Sequence, residues 1–338
     1  MFQSILKELL ESRSNDSLFH HFEWDRIKNK SHIKTQLIGY SEEKKELWAF
    51  KTGNGAKKIS LIAGCHSDEP VGPEMLKRLI YVLSNLNQDI KKLLSQYTFY
   101  ICPHLNPDGE SKNLNWITEW PSFQAYIDNS YRELPGRDIE FGFPDMRIEN
   151  STWTKWVKNE GPFHCHISFH GMGYSEGPML LIEKHWIKKT SLLQEAFKQK
   201  TRTSGYLLHD HDRKGDKGFI YIAPGFTTTP EGSAMKKHFL DQKDNNMASK
   251  FKLSSMEWIR TLGGDPLCLV TELPLFCIQK KEGRTPGFPT HHITLKQAIT
   301  TPNFDCSQVV KELEIQPFPI KVALEFQLFI LEKALETI

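Results

Sequence analysis

Apolar residues in the first dozen positions recur at helical spacing. Phe2, Ile5, Leu6, Leu9 and Leu10 share one side of a 3.6-residue turn, which predicts an amphipathic helix. Extended segments follow near Ile33–Tyr40 and Glu46–Lys51, and the Gly53-Asn54-Gly55 turn leads into Lys58–Gly64, KISLIAG. A short apolar run closed by glycine reads as a central strand. A helical pattern runs from about Val71 to Leu86, and Tyr97–Pro103, YTFYICP, reads as the next strand. The order strand, helix, strand predicts a crossover unit and parallel pairing.

Residues 104–152 read as one long irregular segment rich in Asn, Pro, Gly and Trp, and a loop of that length is usually functional. Phe163–Phe169, Pro178–Glu183, Phe219–Ala223 and Leu267–Thr271 are further strand candidates. Helices are expected over 186–202, 230–240 and 247–262, and again from 293 onward. With no internal repeat and no linker, the expectation is one α/β domain. Its central sheet would be mixed, mostly parallel and twisted, with helices on both faces. The catalytic domain would span 31–285, with an N-terminal helical segment 1–30 and a C-terminal helical extension 286–338 packed on it.

Composition narrows the partners. The 338 residues include 43 Lys plus Arg against 41 Asp plus Glu, a net charge of +2 that gives no case for nucleic acid. No run of about 18 apolar residues exists, so no membrane-spanning helix is expected. The opening MFQSILKELLESRS lacks the basic start and long apolar stretch of a secretory signal, so the expected location is cytoplasmic. Cys65, Cys102, Cys165 and Cys268 lie in apolar runs without C-x-x-C spacing. They read as reduced, buried thiols and not as zinc ligands.

Candidate chemistry gathers at the ends of the predicted strands. His66 and Glu69 follow the Lys58–Gly64 strand in GCHSDEPVGPE. Imidazole nitrogen and carboxylate oxygen both suit zinc, although a loop His and a helix-start Glu would look the same. His170 closes a second apolar run in ISFHGMG, with His164 and His166 as rival ligands on the same strand. Strand ends of an α/β sheet meet at one edge, where ligands bind. Two His and one Glu leave a fourth tetrahedral position open, the pattern of a catalytic zinc site. Glu272, at the end of LCLVTELP, could serve as general base or could be an exposed strand-terminal Glu.

Together these segments resemble the zinc metallocarboxypeptidase family, in order, from about Ile38 to Phe276. GCHSDEPVGPE is similar to the family's His-x-x-Glu motif and PHLNPDG to its P-x-x-N-P-D-G turn. ISFHG is similar to the segment with the third ligand, and LVTELP to the strand with the catalytic Glu. The resemblance implies one zinc per chain held by His66, Glu69 and His170, with Glu272 as base. GRDIEFGFP, 136–144, resembles G-x-D-L-N-R-N-F-P, which makes Asp138 the carboxylate orienting the first zinc histidine. Arg132 is the nearest candidate for the Arg that polarises the scissile carbonyl.

Departures from the pattern fall in the substrate pocket. Glu140 and Phe141 stand where the family has the Asn and Arg that bind a terminal carboxylate, so both are expected to face substrate and to disfavour that group. Arg137 or Arg147 could supply the charge instead. The family's Tyr before the catalytic Glu has no counterpart between Tyr221 and Glu272. The leading expectation is a zinc-dependent hydrolase of a peptide or amide bond, with an altered terminal pocket. The alternatives are an N-acyl amino acid deacylase of the succinylglutamate desuccinylase or aspartoacylase type, and a silent member that binds peptide without cleaving it. Gly171-Met172-Gly173 reads as a tight turn, His209, His211 and Asp212 as solvated loop or cleft rim, and His291-His292 as a surface pair. Trp116, Trp120, Trp153 and Trp156 read as core or loop packing.

Overall fold

A computed structural model describes residues 2–15, 17–19, 22, 25–301 and 304–338. Its strands are β1 (Ile33–Tyr40), β2 (Glu46–Thr52), β3 (Lys57–Ala63), β4 (Tyr97–Cys102) and β5 (Cys165–Ser175), followed by β6 (Met179–Ile182), β7 (Tyr221–Ala223), β8 (Phe226–Thr228), β9 (Leu267–Ile278) and β10 (Ile315–Pro317). They form one sheet in the order β1-β2-β4-β3-β5-β9-β6-β8-β7, with β10 pairing on β9. The central pairs β4–β3, β3–β5 and β5–β9 are parallel, as is β6–β8, and the remaining pairs are antiparallel.

Alternating side chains of the central strands enter different cores, as the two-residue period of a strand requires. Ile59, Leu61 and Ala63 of β3 and Phe99 and Ile101 of β4 join one cluster, while Ile62, Tyr100 and Cys102 join another on the opposite face. Both faces are therefore covered, which is why β3 and β4 are apolar almost throughout. The first face is closed by the helices Phe2–Glu11, Val71–Leu83 and Ile320–Thr337, whose Ile5, Leu79 and Leu331 share its core. The N-terminal helix and the C-terminal tail thus pack on the same body as the sheet. The second face is closed by the helices Ile148–Val157 and Ser255–Thr261 through Trp153, Val157, Trp258 and Ile259. Full burial of each such side chain stabilises the fold by about 1.5–3 kcal/mol.

Three expectations change. Residues 104–152 are not one irregular loop but contain the helices Pro107–Thr118 and Phe123–Asn129 and the start of Ile148–Val157. Asn106 caps the first by accepting from the Gly109 amide, Pro107 follows it, and Ser122 caps the second through the Ala125 amide. The polar residues and prolines that read as loop are helix start signals. Gly171-Met172-Gly173 is not a turn: β5 continues to Ser175 beside β9, which itself continues to Ile278. His170 and Glu272 are therefore mid-strand residues, directly opposed in register. What ends at this point is β3, whose last pairing is Ala63 with Phe169. The site lies where β5 loses that neighbour.

Candidate metal centre and cleft

The loop after β3 brings His66 and Glu69 back to β5. Gly64 turns this loop with φ +70°, and a Cβ there would lie 2.6 Å from the His104 ring. His66 Nδ1 is 3.0 Å from Glu69 Oε1, His170 Nδ1 is 2.8 Å from Glu69 Oε2, and the two Nδ1 atoms are 3.0 Å apart. The three residues thus form a triangle of donor groups with contacts near 3 Å, each Glu69 oxygen facing one ring. Ligands about 2.0–2.2 Å from a tetrahedral zinc stand a little over 3 Å apart, so one ion caps the triangle with small adjustments. The donors and their spacing fit zinc.

The far side of each ring is held. His66 Nε2 faces Asp138 Oδ1 at 3.3 Å, and His170 Nε2 faces Glu140 Oε2 at 3.1 Å. A carboxylate on Nε2 leaves the Nδ1 lone pair to the metal and raises its basicity. Asp138 stands where the resemblance put it. Glu140 does not: it is buried and turned away from the cleft, and it accepts from the Ser255 amide at 3.0 Å, Ser255 Oγ at 2.7 Å and Ser168 Oγ at 3.2 Å. Those donors and His170 hold its carboxyl well below the usual range. Glu140 backs the second histidine and does not line the cleft, because its short segment sends Glu140 into the protein and Phe141 to the cleft. Glu140→Gln is expected to weaken zinc binding about 10–100-fold while the fold persists, measured by competition with a chelator of known affinity.

The rival ligands are accounted for. His166 is buried behind the site between Ser60 Oγ at 3.0 Å and Ser255 Oγ at 3.2 Å, and burial pushes its pKa down to about 4. His164 Nδ1 accepts from the Lys58 amide outside the site. A second donor group among the described residues, Cys65 with Glu140 and His170, lies inside the protein. Burial and the Glu140 charge push the Cys65 thiol far up, which disfavours its thiolate in the metal-free protein.

Arg132 donates from Nε to Asp68 Oδ1 at 2.8 Å and through Nη2 to Glu69 Oε1. Glu272 borders the same cleft, and its carboxyl titrates above the ordinary range, by burial first and then by the nearby Glu69 charge. The cleft encloses about 350 Å³. Phe141, Met179, Leu181, Phe219 and Met235 make an apolar wall, and Arg213, His209, His211, His292 and Lys296 a basic one. Arg137 and Arg147 are absent from it. Arg137 pairs with Glu42 at the surface, and Arg147 is buried against Glu149 at 2.9 Å.

His209 and His211 line the cleft, the rim alternative of the sequence reading, while His292 and Tyr126 escaped it. His209 is 1% exposed and not a solvated loop residue, and His292, expected at the surface, is half-buried with Nδ1 3.1 Å from the Tyr174 carbonyl. Tyr126 reaches the cleft from the helix Phe123–Asn129, over Gly173, where a Cβ would lie 1.8 Å from its hydroxyl. The Gly-x-Gly after His170 was the available signal, since it leaves room for a side chain arriving from elsewhere. Trp116 and Trp153 are fully buried packing residues, as read from the sequence.

Comparisons with known proteins give likenesses in family and fold. Residues 24–146 match the family described as zinc carboxypeptidase. Mouse carboxypeptidase M is 29% identical over 153 residues, 40% of this chain and 32% of that protein. Carboxypeptidase E of Caenorhabditis elegans is 34% identical over 93 residues, 26% of this chain and 19% of that protein. The matched stretches thus span less than two thirds of these curated relatives. Among solved structures, carboxypeptidase A of Helicoverpa armigera superposes with a TM-score of 0.54 at 12% identity, over 99% of this chain and 80% of that one. A metallocarboxypeptidase of Burkholderia cenocepacia gives 0.52 at 14% identity, over 93% and 67%. The fold is shared over nearly the whole chain. No helix among the described residues is long and apolar enough to cross a membrane.

Proposed function

We propose that this chain, a divergent relative of the zinc carboxypeptidases, is a zinc-dependent hydrolase that cleaves a peptide or amide bond in the cleft beside His66, Glu69 and His170. The observation that carries the reading is the convergence of those three donors, with both rings backed by carboxylates and Glu272 on the same cleft. Zinc bound there would supply Lewis acidity and lower the pKa of water.

The protein's own groups do the rest. Glu272 lies beside the ligand triangle, and its raised pKa suits a group that takes a proton from attacking water and passes it to the leaving amine. Arg132 has five N–H donors, of which Asp68 and Glu69 occupy two. The others face a cleft from which its side chain is 43% exposed, and they are available to an oxyanion as charge develops. The apolar wall around Phe141 receives an apolar side chain and excludes water from it.

The test is direct. Protein purified from zinc-replete medium should carry about one zinc per chain and hydrolyse short peptides, losing both zinc and activity to a strong chelator. Absence of a bound divalent metal, or hydrolysis that survives complete metal removal, would refute the reading. Acyl-amino acids assayed alongside peptides separate it from a deacylase.

A further inference from the structure

Phe141 removes the cation expected to meet a substrate carboxylate, yet the basic wall of the same cleft holds cations with no partner. Arg213 makes no hydrogen bond or ion pair through its guanidinium among the described residues, and instead lies 4.1 Å from the centre of the Phe219 ring. Glu272 acts on it through charge across the cleft without an ion pair, and the nearby aspartates are engaged elsewhere. Asp212 pairs with Lys214 at 2.7 Å, Asp216 with His238 at 3.2 Å, and Asp210 accepts from the Tyr221 hydroxyl at 2.8 Å and the Gly287 amide at 2.7 Å. Lys296 likewise has no polar partner for its ammonium among the described residues and borders both this cleft and the groove beyond it.

His209 is the independent sign that a ligand belongs here. It is 1% exposed, it lines the cleft, and its Nδ1 is buried with no hydrogen-bond partner. A buried polar atom of this kind costs about 1–3 kcal/mol unless something satisfies it. Its ring stands 5.3 Å from that of His292 and 5.7 Å from that of His211. These rings do not converge as the metal triangle does, and Arg213 and Lys296 beside them repel a cation. The two cations on this wall suit an anion.

We propose that Arg213, with Lys296 and His209, binds a carboxylate of the substrate, supplying from another segment of the cleft lining the charge missing at Phe141. The inference rests on the hydrolase reading for its consequence, and it narrows the substrates to peptides carrying a carboxylate close to the scissile bond. That carboxylate is either the C-terminal one or an acidic side chain, since a planar guanidinium takes both alike.

Calorimetry on the full chain, stripped of metal, separates these cases without requiring turnover. N-acetyl-L-phenylalanine and its amide probe a terminal carboxylate. N-acetyl-L-glutamate α-amide and N-acetyl-L-glutamine amide probe a side-chain carboxylate. In at least one pair the acid should bind roughly ten- to hundredfold more tightly than its neutral partner. That preference should vanish in Arg213→Ala, be partly restored in Arg213→Lys, and diminish in Lys296→Ala. The favoured pair identifies the source of the carboxylate. No preference in either pair, no detectable binding at millimolar concentration, or a preference that survives Arg213→Ala in a folded protein would overturn the proposal. Failure of the chain to take up zinc would instead remove the hydrolase reading and leave the acid preference of the metal-free protein as measured.

Discussion

Glu272→Gln should lower kcat by roughly a thousandfold while zinc content stays near one per chain, because the amide keeps the shape of the side chain and loses its proton-accepting oxygen. The residue lies opposite His170 in the β5–β9 register but outside the ligand triangle, so its replacement spares the ion. KM should change little, since the loss falls on the chemical step. Stability gives a second readout with a definite sign. The folded protein holds the Glu272 carboxyl above its unfolded value, so it binds the proton more tightly than the unfolded chain and loses stability as pH rises from about 4.5 through the higher folded value. The Gln variant lacks this loss, so it should match wild type near pH 4 and be the more stable of the two above neutrality in thermal melts of metal-free protein. Equal activity in variant and wild type would remove Glu272 from the mechanism.

His170→Ala should weaken zinc binding by a hundredfold or more, since a structural or catalytic zinc distributes about 10–16 kcal/mol over its few ligands. Dialysis against a chelating buffer with metal analysis reads the loss directly. The same site predicts a steep pH dependence in wild type. In the metal-free protein, Glu69 and Asp138 raise His66 to about 10, and Glu69, Cys65 and Glu140 raise His170 well above its ordinary value. The ring pair therefore holds protons at pH 7 that the metal must displace, at least one of them on an Nδ1 that faces the other ring. Affinity should rise with pH by up to about tenfold per unit for each proton released, and about one proton or more should appear on binding at pH 7, measured by calorimetry in buffers of different ionisation enthalpy. The linkage to folding runs the other way. A raised histidine stabilises the metal-free fold fully below about 6.5, and the contribution from His66 is lost as pH rises through about 10. An affinity flat between pH 6 and 8 would contradict the assignment of these rings as ligands.

The central strands were legible because their apolar runs are short, bounded by Gly or Pro, and buried on both faces. Nothing local marked where β5 and β9 stop, since Gly171, Gly173 and Pro274 read as breakers until the two strands are seen paired through them. The helices of 104–152 were hidden for a related reason: Asn106, Pro107 and Ser122 carry the same letters as a loop, and only the packing of Trp116 and Tyr126 shows which they are.

His66, Glu69, His170 and Glu272 could be named as candidates from the chain, and Asp138 through the family resemblance, because metal ligation and proton transfer demand particular side chains and allow few substitutes. The sequence by itself therefore determined the candidate donors and the sheet that presents them. The direction in which Glu140 points, the reach of Tyr126 over Gly173, and the meeting of Arg213, His209 and Lys296 on one wall were decided only by the tertiary structure. Those groups come from segments far apart in the chain, and hydrogen bonding or charge can serve a cleft from any of them, so no local pattern fixes which one does.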